Sequence, residues 1–183
     1  PATVRGMSKL IVFGAGGRAG RRIVIEAAAR GHQVTAVVRD PRRYPELGGA
    51  VAGDVTSAED VAALAAGHDA AVHAAARLDA ADFFPAAARA LVGGLARAGV
   101  GRLVAIGIGS TLETAPGVAV HDAPDYPAEY RPFSLRHAAQ IDVLRAAGPA
   151  LDWVLLVPPP TFLDADAART GRYRTGGAAV ISM

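Results

Sequence analysis

The feature that most constrains the fold is a glycine-rich segment placed between a short apolar run and an alanine-rich stretch. The apolar run is Lys9–Phe13, and residues 14–20 read Gly-Ala-Gly-Gly-Arg-Ala-Gly. Residues 18–30 are rich in alanine and stop before Gly31, where a helix C-cap is expected. This order predicts a strand, a tight turn and a helix.

The glycines of the turn are spaced so that the backbone can approach a phosphate. Three of them form G-x-x-G-x-x-G, and the same segment fits G-x-G-x-x-G/A with alanine last. A helix N-terminus after such a turn offers free N–H groups and a positive dipole to a pyrophosphate. We therefore predict a dinucleotide site, the alternative being a glycine-rich turn that binds nothing. The expected contacts are Gly14, Gly16, Gly17, Arg18, Ala19 and Gly20.

Apolar runs and helical segments alternate along the whole chain. The runs are continuous, which is typical of a parallel sheet covered on both faces. The alternation predicts one Rossmann-type doubly wound α/β domain over residues 7–183, with helices on both faces. Predicted strands are Lys9–Phe13, Gln33–Val38, 51–53, 70–75, Arg102–Ile106 and 153–157. Predicted helices are 18–30, 57–66 with a Ser57–Asp60 capping box, a segment with Phe84, Ala88, Leu91, Val92 and Leu95 on one face, and 134–147.

Composition excludes several classes of protein. The chain has no cysteine, so disulfides, thiol catalysis and thiolate metal sites are excluded. Its net charge is +2, its cations are scattered arginines apart from the single lysine Lys9, and 5% of residues are aromatic, so we expect no nucleic-acid partner. No apolar run reaches the ~18 residues of a membrane span, and no signal peptide is visible. We expect a cytoplasmic protein with a small-molecule substrate.

The ends of the chain and one long loop carry further expectations. Met7 opens the first clear pattern, so residues 1–6 are expected to be a cloning remnant. Residues 180–183 have the pattern of a strand. The segment 110–130 contains three prolines and is predicted to be a long loop, a kind of segment that is usually functional.

Arg39 ends the second predicted strand, about twenty residues past the glycine turn, where the residue that distinguishes the cofactor's ribose is expected. An acidic residue there favours NAD, whereas an arginine accommodates the 2′-phosphate of NADP. We therefore predict NADP(H), with Arg18, Arg42 and Arg43 as additional positive charge. The alternative is a solvated surface arginine.

Asp54 and Val55 end the third predicted strand. Asp54 could accept a hydrogen bond from the adenine amino group, with Val55 against the ring. A helix-capping aspartate before Thr56 is the alternative.

These residues resemble the short-chain dehydrogenase/reductase superfamily in its atypical NAD(P)H-binding branch, which includes NmrA-like regulators and flavin or biliverdin reductase-like proteins. The resemblance extends from Lys9 to about Gly177 and implies a further C-terminal helix that this sequence lacks. It also assigns Ala74, Ala75 and Pro158 to the cofactor site. The residues that carry it are the 14–20 turn, Val38-Arg39, Gly53-Asp54-Val55, 107–110, Leu151-Asp152-Trp153 and 170–174.

The catalytic motif of that superfamily, Tyr-x-x-x-Lys, is absent, because Lys9 precedes the glycine turn. By the resemblance, His137 takes the place of the lysine and Phe133 that of the tyrosine, with Tyr130 one helical turn earlier. His137 is expected to hold the nicotinamide ribose and to change charge near neutral pH, or else to be a partly exposed helix residue. Ser110 is expected to face the nicotinamide, or else to cap a strand end.

Other chemistries lack their motifs. There is no G-x-S-x-G around Ser110 and no G-K-[ST], so neither a hydrolase elbow nor a P-loop is predicted. We predict no metal site, because the histidines lack metal-ligand spacing, and His73 is expected to be a satisfied sheet residue. These histidines are His32, His68, His73, His121 and His137.

Two functions stay open: an NADPH-dependent reductase acting on a flavin, quinone or carbonyl compound, and a non-catalytic NADP(H) sensor of the NmrA-like type. The substrate is expected between the 110–130 loop and residues 158–166.

Overall fold

The centre of the computed structural model, which describes residues 6–159, 168 and 170–181, is a six-stranded parallel sheet. Its strands are β1 (Lys9–Phe13), β2 (Gln33–Val38), β3 (Val51–Ala52), β4 (Ala70–His73), β5 (Arg102–Ile106) and β8 (Asp152–Leu156). A separate antiparallel pair consists of β6 (Glu113–Ala115) and β7 (Val118–Ala119). The strand order in the large sheet is β3-β2-β1-β4-β5-β8. The predicted Rossmann-type parallel sheet is thus confirmed.

Within the described residues, four helices cover the sheet: α1 (Arg18–Ala29), α2 (Ala58–Ala65), α3 (Phe83–Ala98) and α4 (Arg131–Ala146). Side chains alternate between the faces of a strand. On β1, Ile11 and Phe13 therefore join the core beneath α2, α3 and α4, whereas Val12 packs towards α1. In the described part of the chain, no helix has the length and apolar character needed to cross a membrane.

The boundaries of β1, β2 and β5 agree with the predicted ones, and most others differ by one or two residues. Helix α4 begins at Arg131, three residues before its predicted start, with Pro132 in its first turn. Proline fits this position because the first N–H groups of a helix have no intrahelical acceptor. Ser57 caps α2 as predicted and accepts a hydrogen bond from the Asp60 amide at 3.1 Å.

The segment 110–130 is more ordered than the long loop predicted from its prolines. Strands β6 and β7 form a hairpin in it, and short 3₁₀ turns flank that hairpin. The Glu113 amide donates to the Ala178 carbonyl, and the Val180 amide donates to the Glu113 carbonyl, both at 2.9 Å. The predicted C-terminal strand is therefore reduced, within the described residues, to a single bridge at Ala179, while Ser182 and Met183 lie outside them.

The polarity of the sheet decides where a ligand can bind. The chain first builds outward from β1 through β2 to β3, and then continues on the other side through β4, β5 and β8. This reversal leaves a crevice at the carboxyl ends of β1 and β4, where ligands bind in open α/β sheets. Lys9 begins β1 at the opposite edge, where its amide donates to the Asp69 carboxylate at 2.7 Å and its side chain is exposed.

Candidate functional site

A cavity of 380 Å³ lies at the carboxyl edge of the sheet, over the ends of β1, β2, β3 and β4. The structure brings residues from four separate predicted strands together in its wall. Six predicted site residues do not line it: Arg18, Ala19, Gly20, Ser110, His137 and Pro158. The predicted site residues that do line it are Gly14, Gly16, Gly17, Arg39, Asp54, Val55, Ala74 and Ala75.

Two glycines of the turn are required by the fold itself. Gly14 has a φ of +82°, and a Cβ there would lie 2.4 Å from the Ala75 backbone. A Cβ on Gly20 would lie 2.1 Å from the Gly14 carbonyl oxygen, so this position allows α1 to pack closely on the turn. Gly17 differs, since its nearest neighbour would be 3.4 Å from a Cβ. The fold has room for a Cβ at Gly17, and the bare backbone there leaves the cavity wall open.

The N-terminus of α1 borders the cavity and has no side-chain cap. Gly17 is the N-cap residue, and the first intrahelical bond runs from the Arg21 amide to the Gly17 carbonyl at 3.0 Å. The N–H groups of Arg18, Ala19 and Gly20 precede that bond, so they are the donors that a helix leaves unsatisfied. Uncapped donors beside a glycine cradle fit the pyrophosphate of a dinucleotide.

Two guanidinium groups in the cavity wall make no ion pair with any described residue, those of Arg39 and Arg43. Their neighbours are paired: Arg42 binds Asp40 at 2.9 Å, and Arg77 binds Asp79 at 2.8 Å. The side-chain hydrogen bond from Arg42 holds the pKa of Asp40 below its usual value. The cavity therefore offers two free positive charges beside the end of β2.

Asp54 lies at the cavity and is not the helix cap that was the alternative, because the N-cap residue of α2 is Ser57. Its Oδ1 accepts hydrogen bonds from the amide and the hydroxyl of Thr56, at 2.9 and 2.7 Å, in the turn that precedes α2. The same residue lines the cavity. Partial burial raises its pKa, but the Thr56 hydrogen bonds and the charges of Arg39 and Arg77 outweigh burial and lower the pKa. Asp54 is an ionised acceptor whose Oδ2 is not used by Thr56.

Tyr44 was not predicted and packs against the glycine turn in the cavity wall. Its ring lies so close to Gly16 that a Cβ there would be 2.4 Å from the Tyr44 Cε1. The Arg21 guanidinium lies 5.8 Å from the centre of that ring, and Arg21 Nε donates to the Gly16 carbonyl at 2.8 Å. Two 3₁₀ turns, Pro41–Arg43 and Pro45–Leu47, fold the tyrosine back. The sequence signal that could have indicated this arrangement is the pair Pro41 and Pro45 on either side of Tyr44.

Phe83 closes the end of the cavity nearest β4, and an aromatic cluster lies behind it. The Phe83 ring stands at 84° to that of Phe84, with the centroids 5.3 Å apart. His73 is buried at the end of β4, 6.4 Å from Phe83. Its Nδ1 has no hydrogen-bond partner among the described residues, so the expectation of a satisfied sheet histidine is corrected.

His137 is neither a partly exposed helix residue nor a group that titrates near neutral pH. Its ring lies 3.7 Å from that of Phe84 and 4.9 Å from that of Phe133, and 5% of the residue is exposed. Burial lowers the pKa of His137 to about 4; burial, together with the charge of His137, does the same for His73. The reason is that the cation loses its hydration in an aromatic environment. The i, i+4 relation predicted for Phe133 and His137 is present, but the pair faces the core.

Ser110 lies after β5 in a small hydroxyl cluster. Its Oγ is 2.9 Å from Ser134 Oγ, which in turn is 2.9 Å from the Tyr126 hydroxyl. The Ser110 carbonyl lies 2.7 Å from Nδ1 of His121. Neither Ser134 nor Tyr126 was predicted, since their contact depends on how the 110–130 segment folds onto α4. Ser110 is therefore fixed through both its main chain and its side chain.

Comparisons with known proteins agree with this geometry. A family model described as NAD(P)H-binding matches residues 14–180. The uncharacterized protein YwnB of Bacillus subtilis is 32% identical over 174 residues, which is 92% of this chain and 79% of YwnB. A candidate exported protein from Burkholderia pseudomallei is 38% identical with a TM-score of 0.82, over 96% of this chain and 82% of that one. A candidate NADH-flavin reductase from Streptococcus pneumoniae is 28% identical with a TM-score of 0.80, over the same shares. Since one relative is named as exported, a cytoplasmic location stays a prediction for this chain.

Proposed function

Because the chain belongs to the NAD(P)H-binding family, we propose that it is an NADPH-dependent reductase that transfers hydride to a small acceptor such as a flavin. The family match and the similarity to a candidate NADH-flavin reductase confirm the predicted resemblance to atypical short-chain dehydrogenases/reductases. The acceptor is proposed from that relative's name and from the chemistry of the site. Quinones and carbonyl compounds are the other acceptors to be tested.

The observation that carries the proposal is the pair of unpaired guanidinium groups beside an uncapped glycine turn. The N–H groups at the start of α1 would hold the pyrophosphate, and Arg39 with Arg43 would hold the 2′-phosphate of NADPH. The Asp54 carboxylate would accept from the adenine amino group. The proposal favours NADPH over NADH, because Arg39 and Arg43 lie where the negatively charged 2′-phosphate, present only in NADPH, would bind.

The reduced nicotinamide, when bound, supplies hydride from its C4 atom. The residues around the reacting end contribute little acid chemistry in this proposal. By the resemblance, Phe133 takes the place of the tyrosine that donates a proton, and His137 is buried as a neutral ring. A flavin or quinone suits this site better than an aldehyde does. Its reduced form can take a proton from solvent, whereas a carbonyl oxygen needs a positioned donor.

The experiment that tests the proposal combines binding with turnover. Calorimetry should show tight NADPH binding to the natural chain and its loss in Gly17→Val, whose side chain would occupy the space left for phosphate. Stopped-flow oxidation of NADPH should be fast with flavins and quinones and slow with aldehydes. Unchanged NADPH affinity in a folded Gly17→Val protein would show that the cofactor site is elsewhere.

A non-catalytic NADP(H) sensor is the second candidate, and the buried state of His137 favours it. A site without a free proton donor binds the cofactor as well as an active one does. Tight NADPH binding without oxidation by any member of the acceptor panel would establish the sensor and exclude the reductase.

A further inference from the structure

The hydroxyl cluster after β5 fixes the direction of the hydrogen bond between Ser110 and Ser134. Ser134 is fully buried in the first turn of α4, and its Oγ donates to the Tyr130 carbonyl at 3.2 Å. A serine hydroxyl has one proton and two acceptor lone pairs. The Tyr126 hydroxyl, at 2.9 Å, is the other group to which Ser134 can donate. In either case Ser134 spends its only proton away from Ser110, so it accepts from the Ser110 hydroxyl at 2.9 Å.

This count decides what Ser110 can offer to a ligand. The Ser110 hydroxyl uses its single proton on Ser134, so only the lone pairs of its oxygen are left. The contact of the Ser110 carbonyl with His121 holds the main chain of the same residue in place. Ser110 is thus a fixed acceptor that selects a ligand atom bearing a proton.

The position of Ser110 along the sheet edge says which part of a dinucleotide would meet it. Arg39 and Asp54 follow β2 and β3, the glycine turn follows β1, and Ser110 follows β5, beyond β4. With strands about 4.8 Å apart, β5 lies about 14 Å from β2 along the edge. A dinucleotide has its two rings on opposite sides of the pyrophosphate. If the adenosine lies over β2 and β3, the nicotinamide extends towards β4 and β5.

We infer that Ser110 accepts a hydrogen bond from the carboxamide N–H of the cofactor's nicotinamide, and that Ser134 is the positioning residue that makes Ser110 an acceptor. This inference rests on the proposed NADPH site. The carboxamide is the group of the nicotinamide ring that carries N–H donors. A ribose hydroxyl can donate or accept, so a side chain that only accepts would not be needed to recognise it.

The test compares two oxidised cofactors that differ at one group. In 3-acetylpyridine adenine dinucleotide phosphate, a methyl group replaces the carboxamide NH₂ of NADP⁺ with little change in shape. Calorimetry on the natural chain should show that NADP⁺ binds about tenfold more tightly, the effect expected for one buried neutral hydrogen bond. Binding of 2′,5′-ADP reports the adenosine half alone.

Three variants separate positioning from a purely structural role. Ser110→Ala should weaken NADP⁺ about tenfold and leave the acetyl analogue unchanged, so that the preference disappears. Ser134→Ala frees the Ser110 proton to donate to either carbonyl group. It should therefore remove the preference by strengthening the analogue, with NADP⁺ affinity kept. Tyr126→Phe leaves the Ser110–Ser134 bond intact and should retain the tenfold preference.

Each alternative outcome overturns a different statement. Equal affinity of the natural chain for the two cofactors, with 2′,5′-ADP bound tightly, would overturn the role of Ser110 and leave the proposed NADPH site standing. Equal weakening of both cofactors in Ser134→Ala would show that Ser134 acts only on structure. Failure of 2′,5′-ADP and NADP⁺ to bind at all would overturn the proposed function and this inference with it.

Discussion

The two ends of the candidate site are built on opposite principles. At the β2 end, the contacts are main-chain N–H groups and exposed guanidinium groups, with Arg39 and Arg43 unpaired among the described residues. At the β5 end, the polar groups are buried and already engaged, as in the Ser110–Ser134 bond, or neutralised by burial, as in His137. The first end is open to a highly charged ligand. At the second end, packing and hydrogen bonds within the protein already fix the polar side chains before a ligand binds.

The largest expected effect concerns the buried end and is a loss of stability in acid. Each of His73 and His137 has a pKa near 4 in the folded chain against 6.5 in the unfolded one. Because the unfolded state binds protons first, stability should fall as the pH drops from 6.5 to 4 and should level off below that. The gap corresponds to about 3 kcal/mol for a single histidine. The pair together should lose less than twice that amount, because the charge of His137 contributes to the shift of His73.

Urea denaturation at pH 7 and pH 4.5 measures this effect. His137→Phe keeps a ring against Phe84 and removes one titrating group, so the loss of stability between these pH values should shrink by about half. An unchanged acid sensitivity in the variant would mean that His137 is accessible to protons in the folded chain.

The next largest effect separates the two roles of glycine at the open end. Gly14→Ala places a Cβ against the Ala75 backbone at a φ of +82° and should cost about 2–4 kcal/mol of unfolding free energy. Gly17→Ala meets no contact closer than 3.4 Å and should cost less than about 1 kcal/mol. Thermal or urea unfolding of both variants gives the comparison. Similar losses would show that both glycines serve the fold alone.

A smaller effect tests charge at the same end. Arg39→Ala should weaken NADPH by about 1.5–3 kcal/mol and leave NADH affinity nearly unchanged. Arg97→Ala is the control, because Arg97 is an exposed arginine on α3 that does not line the cavity. Calorimetric affinities for both cofactors decide the matter, and equal weakening of NADPH and NADH in Arg39→Ala would assign the arginine a structural role.

The smallest expected effect is at Tyr130. This side chain is 60% exposed, and its hydroxyl has no hydrogen-bond partner in the described part of the chain. Tyr130→Phe should therefore leave stopped-flow hydride transfer to a flavin unchanged within error. A large loss of rate would show that Tyr130 turns towards the cofactor and donates a proton there.

The same contrast explains what could be predicted from the sequence. The open end depends on main-chain conformation after β1 and β2, which glycine spacing and strand order encode locally. The turn at 14–20 and the positions of Arg39 and Asp54 in the cavity could therefore be predicted from the sequence. Tyr44 was missed because its place depends on two 3₁₀ turns that bring it back over Gly16.

The buried end depends on contacts between distant segments, which spacing does not encode. The sequence shows that His137 follows Phe133 by about one turn of α4. It does not show which side of that helix faces the core. Ser134 meets Ser110 across 24 residues because the hairpin of β6 and β7 returns the chain to the sheet edge. Burial of the two histidines follows from Phe83 and Phe84, whose apolar character was visible but whose neighbours were not.

The polarity of β1 has a practical consequence. Lys9, the sole lysine of the sequence, stands exposed at the first residue of β1, while the glycine turn follows its last. The length of the strand therefore separates its primary amine from the cavity. An amine-reactive fluorophore or a coated sensor surface coupled through Lys9 would attach at the far edge of the sheet. Immobilisation through that side chain would leave the cavity on the side of the sheet away from the attachment point.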